Sequence, residues 1–72
     1  MTDLDYQVEM LARDLVLMLM ERRHMTMPEA LESLYNSDTY LRIKDSHSGL
    51  YFQSVGYVYD FLDKELTTGR MQ

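Results

Sequence analysis

Six consecutive apolar residues, Leu15-Val16-Leu17-Met18-Leu19-Met20, sit inside a stretch otherwise patterned like an amphipathic helix. Successive side chains on a helix step by about 100°, so such a run reaches every side of it. One face can enter the chain's own core. The opposite face has to be covered by something else or stay wet, and that requirement points to association. The run is far shorter than the roughly 18–20 residues of a membrane span. Acids rather than bases precede it (Asp3, Asp5, Glu9, Asp14), which does not fit a signal peptide.

A chain of 72 residues has room for one domain. At this size folding buries only roughly 60–65% of the surface exposed in the unfolded chain. The core supplies roughly 3–5 kcal/mol, so small domains often need a staple. There are no cysteines and only two histidines, so disulfides and thiolate metal sites are excluded and no metal or cofactor site is expected. Oligomerisation is the staple left, and a homodimer is the expectation. The absence of cysteine fits a reducing, cytoplasmic setting. Twelve acids against seven bases give a net charge of −5. That balance argues against the electrostatic footprint of a nucleic-acid binder and slightly favours a basic partner.

The pattern predicts an all-α domain: one long helix, two or three shorter ones, and a brief extended segment near 50–53. Leu4, Val8, Leu11, Leu15, Met18 and Leu19 recur at helical spacing and mark the inner face of a helix over 3 to about 24. Asp3 and Asp5 lie near its N-terminus and Arg22, Arg23 and His24 near its C-terminus, as the helix dipole prefers. Thr26-Met27-Pro28-Glu29 is a capping box with proline in the first turn. It opens a second helix ending near Asn36, with Ala30, Leu31, Leu34 and Tyr35 as its buried stripe. Ser37-Asp38-Thr39 caps a third, short helix through Lys44, anchored by Tyr40, Leu41 and Ile43. Asp45 to Gly49 reads as a turn, Leu50 to Gln53 as extended chain. Ser54 caps a last helix from Val55 to about Leu66, with Val55, Val58, Leu62 and Leu66 inward. Thr67 to Gln72 is expected to be a frayed tail.

The second half carries distinctive wording: Ala30-Leu31, Leu34-Tyr35-Asn36-Ser37, Thr39-Tyr40, Gly49-Leu50-Tyr51, Gln53-Ser54 and Tyr57-Val58-Tyr59-Asp60-Phe61-Leu62. Over about Pro28 to Leu66 the chain resembles a family of short bacterial proteins built on a domain of unknown function. These are often encoded beside small proteins that resemble ADP-ribosyltransferase-type toxins. The resemblance implies a bacterial cytoplasmic accessory or antitoxin-like protein, with a neighbouring toxin-like protein as partner. It carries no catalytic residue over.

The candidate interface is Met10, Val16, Leu17 and Met20 on the first helix, because neighbours on the helical wheel already fill the inner face. Tyr51 and Tyr59 join it as the aromatics expected to be partly exposed. The other aromatics near the end of the chain, Phe52, Tyr57 and Phe61, and Met18 and Met27 read as core bulk. Asp60, Asp63 and Glu65 read as a solvated face, since no third ligand or flexible loop accompanies the pair three residues apart. Ser46, His47 and Ser48 are neighbours in a turn, not a base oriented by a third group. The chain therefore reads as a non-catalytic protein–protein interaction module. The competing class is a DNA-binding regulator using the second and third helices, but only Arg42 and Lys44 suit a recognition helix.

Overall fold

A 20-residue helix, α1 (Asp3–Arg22), runs the length of the molecule and touches every other element. A computed structural model describes residues 3–69, with the side chains of Asp3 and Leu4 excepted. Three further helices follow, α2 (Met27–Tyr35), α3 (Asp38–Lys44) and α4 (Val55–Thr68), with a single 3-10 turn at Leu50–Phe52 before α4. The all-α class with one long leading helix is as expected.

Each short helix begins where the sequence places a cap. Thr26 accepts a hydrogen bond from the Glu29 N–H at 3.3 Å, and the Glu29 carboxylate accepts one from the Thr26 N–H at 2.8 Å. The Ser37 hydroxyl accepts from the Tyr40 N–H at 3.0 Å, and that of Ser54 from the Tyr57 N–H at 3.3 Å. Each bond satisfies an amide that the helix itself leaves without a partner.

α1 ends at Arg22 rather than at residue 24, because His24 adopts a left-handed backbone with φ of 57°. The segment after the Asp45 to Gly49 turn is not extended. Gly49, at φ of 74°, swings the chain into the 3-10 turn, whose last bond runs from the Gln53 N–H to the Leu50 carbonyl. α4 outlasts its expected end at Leu66 by two residues, so Thr67 and Thr68 are helical rather than frayed. Gly69, left-handed at φ of 85°, closes the helix by donating to the Glu65 carbonyl at 2.7 Å. Residues 70–72 of the expected tail lie outside the described residues, as does the Leu4 side chain.

The core joins Leu11, Ala12, Leu15, Val16 and Leu19 of α1 to Ala30 and Leu34 of α2, Ile43 of α3, Leu50, and Val58, Tyr59 and Leu62 of α4. Leu15, Leu19, Leu34, Ile43 and Leu62 are fully buried. Compared with the expected inner face of α1, the buried stripe is turned toward Ala12 and Val16, while Val8 and Met18 lie at its edge. Tyr35 and Leu41 do not anchor their helices. Both are at least half exposed, because they lie off the helix faces that carry the buried Ala30 and Leu34 of α2 and Thr39 and Ile43 of α3.

Candidate interaction surface

α1 and α2 form a hairpin whose outer face is a groove. Arg23 to Thr26 reverse the chain, and the capping box then sends α2 back along α1. Met27, Leu31 and Tyr35 recur every fourth residue and make one wall. Tyr6, Met10, Arg13 and Leu17, spaced by four, three and four residues, make the other. Val8, Ala12 and Val16 line the space between them, which has a volume of about 670 Å³. Tyr40 of α3 joins the lining and meets Tyr35 edge-on, with ring centres 4.9 Å apart. Burial raises the pKa of the Tyr40 hydroxyl, and the neighbouring Tyr35 and Glu9 add to the rise. Tyr40 therefore stays neutral across physiological pH. Tyr6 and Met10 also line a shallower depression with Tyr51, Phe52 and Val55, so apolar surface continues across α1.

The sequence-predicted residues divide here. Met10 and Leu17 are exposed on the groove wall, at 41% and 50%. Val16 lines the same groove but is buried, because α2 packs over its side of α1. Met20 and Tyr51 are half-buried and packed on the core, and Met20 does not line the groove. Tyr59 is buried, not partly exposed: its ring lies between α4 and α1, with the Arg22 guanidinium 5.4 Å from the ring centre. Met27, expected in the core, is half exposed in the groove. Tyr6 and Tyr35 are exposed and Tyr40 half-buried in the groove lining, where the sequence did not place them, and Phe52 and Tyr57, expected as core bulk, are exposed at 64% and 52%. The four-residue spacing of Met27, Leu31 and Tyr35 is visible in the sequence, but spacing alone does not say whether such a stripe faces the core or solvent.

The acids of α4 are not a uniform solvated face. Asp60 is exposed and lies 3.8 Å from Lys64. Asp63 accepts from Arg23 at 2.7 Å, and the same guanidinium donates to the Asp63 carbonyl and the Thr67 hydroxyl. Glu65 is buried and caps α3: its carboxylate accepts from the N–H of Asp38 at 2.7 Å, and from the N–H and hydroxyl of Thr39 at 2.9 and 2.7 Å. A hollow of about 480 Å³ beside it is lined by Glu29, Glu32 and Glu65 with Ser33 and Asn36. Every buried polar side-chain atom among the described residues has a hydrogen-bond partner, so no unpartnered group points into that hollow. Among the described residues no group of three acids or histidines is placed to hold a metal ion, and no helix is long and apolar enough to cross a membrane.

Ser46, His47 and Ser48 are exposed in the turn. Ser48 is occupied structurally, its hydroxyl donating to the Arg42 and Asp45 carbonyls. Compared with family models, curated proteins and solved structures, the chain matches none.

Proposed function

We propose that this chain is a non-catalytic protein–protein interaction module, and that the α1–α2 groove is its binding surface. The carrying observation is the concentration of half-exposed Tyr6, Met10, Leu17, Met27 and Tyr35 in one concave strip. Large apolar side chains scattered singly are normal on a protein surface, but a contiguous strip of them marks a contact site. Tyr and Met are among the residues enriched where proteins meet.

The resemblance in the second half supports a bacterial cytoplasmic setting and an accessory or antitoxin-like role toward a neighbouring toxin-like protein. The net charge of −5 would speed encounter with such a partner if it is basic, while the groove itself holds one acid and one base. The alternative of a DNA-binding regulator gains little from the geometry. The N-terminus of α3, where a recognition helix would meet phosphate, is occupied by the Glu65 carboxylate.

The test is co-expression with the product of the adjacent gene, followed by co-purification. A stable complex that Leu17→Glu abolishes, while the variant keeps its helical far-UV spectrum, supports the reading. A complex indifferent to Leu17→Glu places binding elsewhere. No complex, together with no effect on the neighbour's toxicity, removes the antitoxin-like role.

A further inference from the structure

Five of the eight large exposed apolar side chains among the described residues line the α1–α2 groove. The groove also differs from the rest of the molecule in charge. The chain carries −5, yet the lining holds one acid, Glu9, and one base, Arg13. The two stand one turn apart on α1, both exposed, and neither forms an ion pair among the described residues. A strongly basic partner would find a single acid here, so this surface is not built to select one.

We infer that the occupant is a second copy of this chain, its α1 lying antiparallel in the groove about a two-fold axis level with Leu11. This inference rests on the groove being the interaction surface and adds the identity of the partner. A two-fold contact is self-complementary, so every pairing occurs twice. With the axis at Leu11, Glu9 comes opposite the partner's Arg13 and Arg13 opposite the partner's Glu9. Met10, one residue from the axis and on the flank of that seam, comes beside the partner's Met10. Local neutrality keeps the mutual repulsion of two acidic protomers out of the contact itself.

The area is sufficient. A large side chain about half exposed presents on the order of 100 Å². Five of them on each copy bring the total near 1,000 Å² before the partly buried lining and the rim are added, roughly the threshold for a specific interface. That places the dimer among weak, reversible associations rather than obligate ones.

The experiment is light scattering and sedimentation equilibrium on the full chain, from low to high micromolar. Wild type should pass from monomer to dimer. Glu9→Arg and Arg13→Glu should each weaken the dimer about tenfold, through two like-charge contacts per dimer. The double variant, with both charges exchanged, should return to within about threefold of wild type. Both side chains are exposed, and far-UV circular dichroism checks that the variants stay folded. An independent readout uses the absence of native cysteine. Met10→Cys should form a disulfide-linked dimer on mild oxidation, and Leu41→Cys, exposed but outside the groove, should not.

A wild type that stays monomeric at high micromolar overturns the inference, as does a double variant no tighter than the single ones. If that monomer still binds the adjacent gene product in a Leu17-dependent way, the groove stands as the surface and only the second copy falls. A dimer untouched by Leu17→Glu places the self-contact elsewhere and overturns the inference, and the groove is then judged by the adjacent gene product alone.

Discussion

Glu65 is the residue whose structural duty is least expected from its neighbours in sequence. One buried carboxylate from α4 satisfies two amides and a hydroxyl at the start of α3, 26 and 27 residues away. Hydrogen bonds to an ionised group contribute about 1.5–3 kcal/mol, more than neutral ones. Glu65→Gln keeps the shape but offers one carbonyl and an NH₂ that cannot accept. It should lose about 2 kcal/mol in chemical denaturation, and Glu65→Ala more, since two amides are then left unpaired. His24 works in the opposite direction. Its left-handed backbone costs a non-glycine residue about 1–2 kcal/mol. Glycine removes that strain and returns about 0.4–1 kcal/mol as extra freedom of the unfolded chain. His24→Gly should therefore stabilise the protein by about 0.5–1 kcal/mol, and an equal or lower urea midpoint would contradict that balance.

Among the elements, α2 has the most explicit start signal, and its energetics are correspondingly checkable. Thr26→Ala should cost about 1 kcal/mol by removing the cap. The Glu29 carboxylate accepts bonds from the Thr26 N–H and hydroxyl, and these lower its pKa below the usual glutamate value. A group whose pKa is depressed by folding stabilises the folded state above its unfolded pKa. That contribution is lost as pH falls through the folded value. Acid should thus weaken wild type at the α2 start, and Thr26→Ala should narrow the gap between the two proteins as pH falls through that range. An NMR titration of Glu29 with a midpoint at the ordinary value would reject the box as an energetic feature.

The caps explain why helix starts were legible in the sequence. A hydroxyl and an amide three residues apart are a local chemical event, and Thr26, Ser37 and Ser54 all behave as read. The stops were less so. His24 carries no sequence cue for a left-handed turn, while Gly69, which does, lay beyond the expected end of α4. Faces failed where a neighbour decides them. Val16 and Leu17 are equally apolar, yet α2 covers one and leaves the other. Tyr59 is buried because Arg22 and α1 come over it, and no local pattern announces a contact about 37 residues away in the chain. Glu65 was invisible for the same reason, because its partners belong to another helix.

At the scale of the molecule, α1 sets the geometry. Twenty helical residues span about 30 Å, close to the longest dimension of 32 Å. Helices of nine, seven and fourteen residues cannot surround a rod of that length. They cover one side, and a strip from Tyr6 to Leu17 is left between α1 and α2. Of the apolar run on α1, Leu15, Val16 and Leu19 are buried, Met18 and Met20 pack at the edge of the core, and Leu17 is presented in that strip. If a second copy fills the strip, stability becomes linked to concentration, because association acts only on the folded state. Above the dissociation constant, each tenfold rise in protein concentration adds about 0.7 kcal/mol per protomer, half of the energy of a tenfold shift in a two-body equilibrium. For a domain of this size that raises the thermal midpoint by about 3–5 °C. Wild type should show that rise in calorimetry from low to high micromolar. Leu17→Glu, with its side chain already half in water, should melt at one temperature throughout and match wild type at the dilute limit. A wild-type midpoint that does not move with concentration would mean that the strip stays wet.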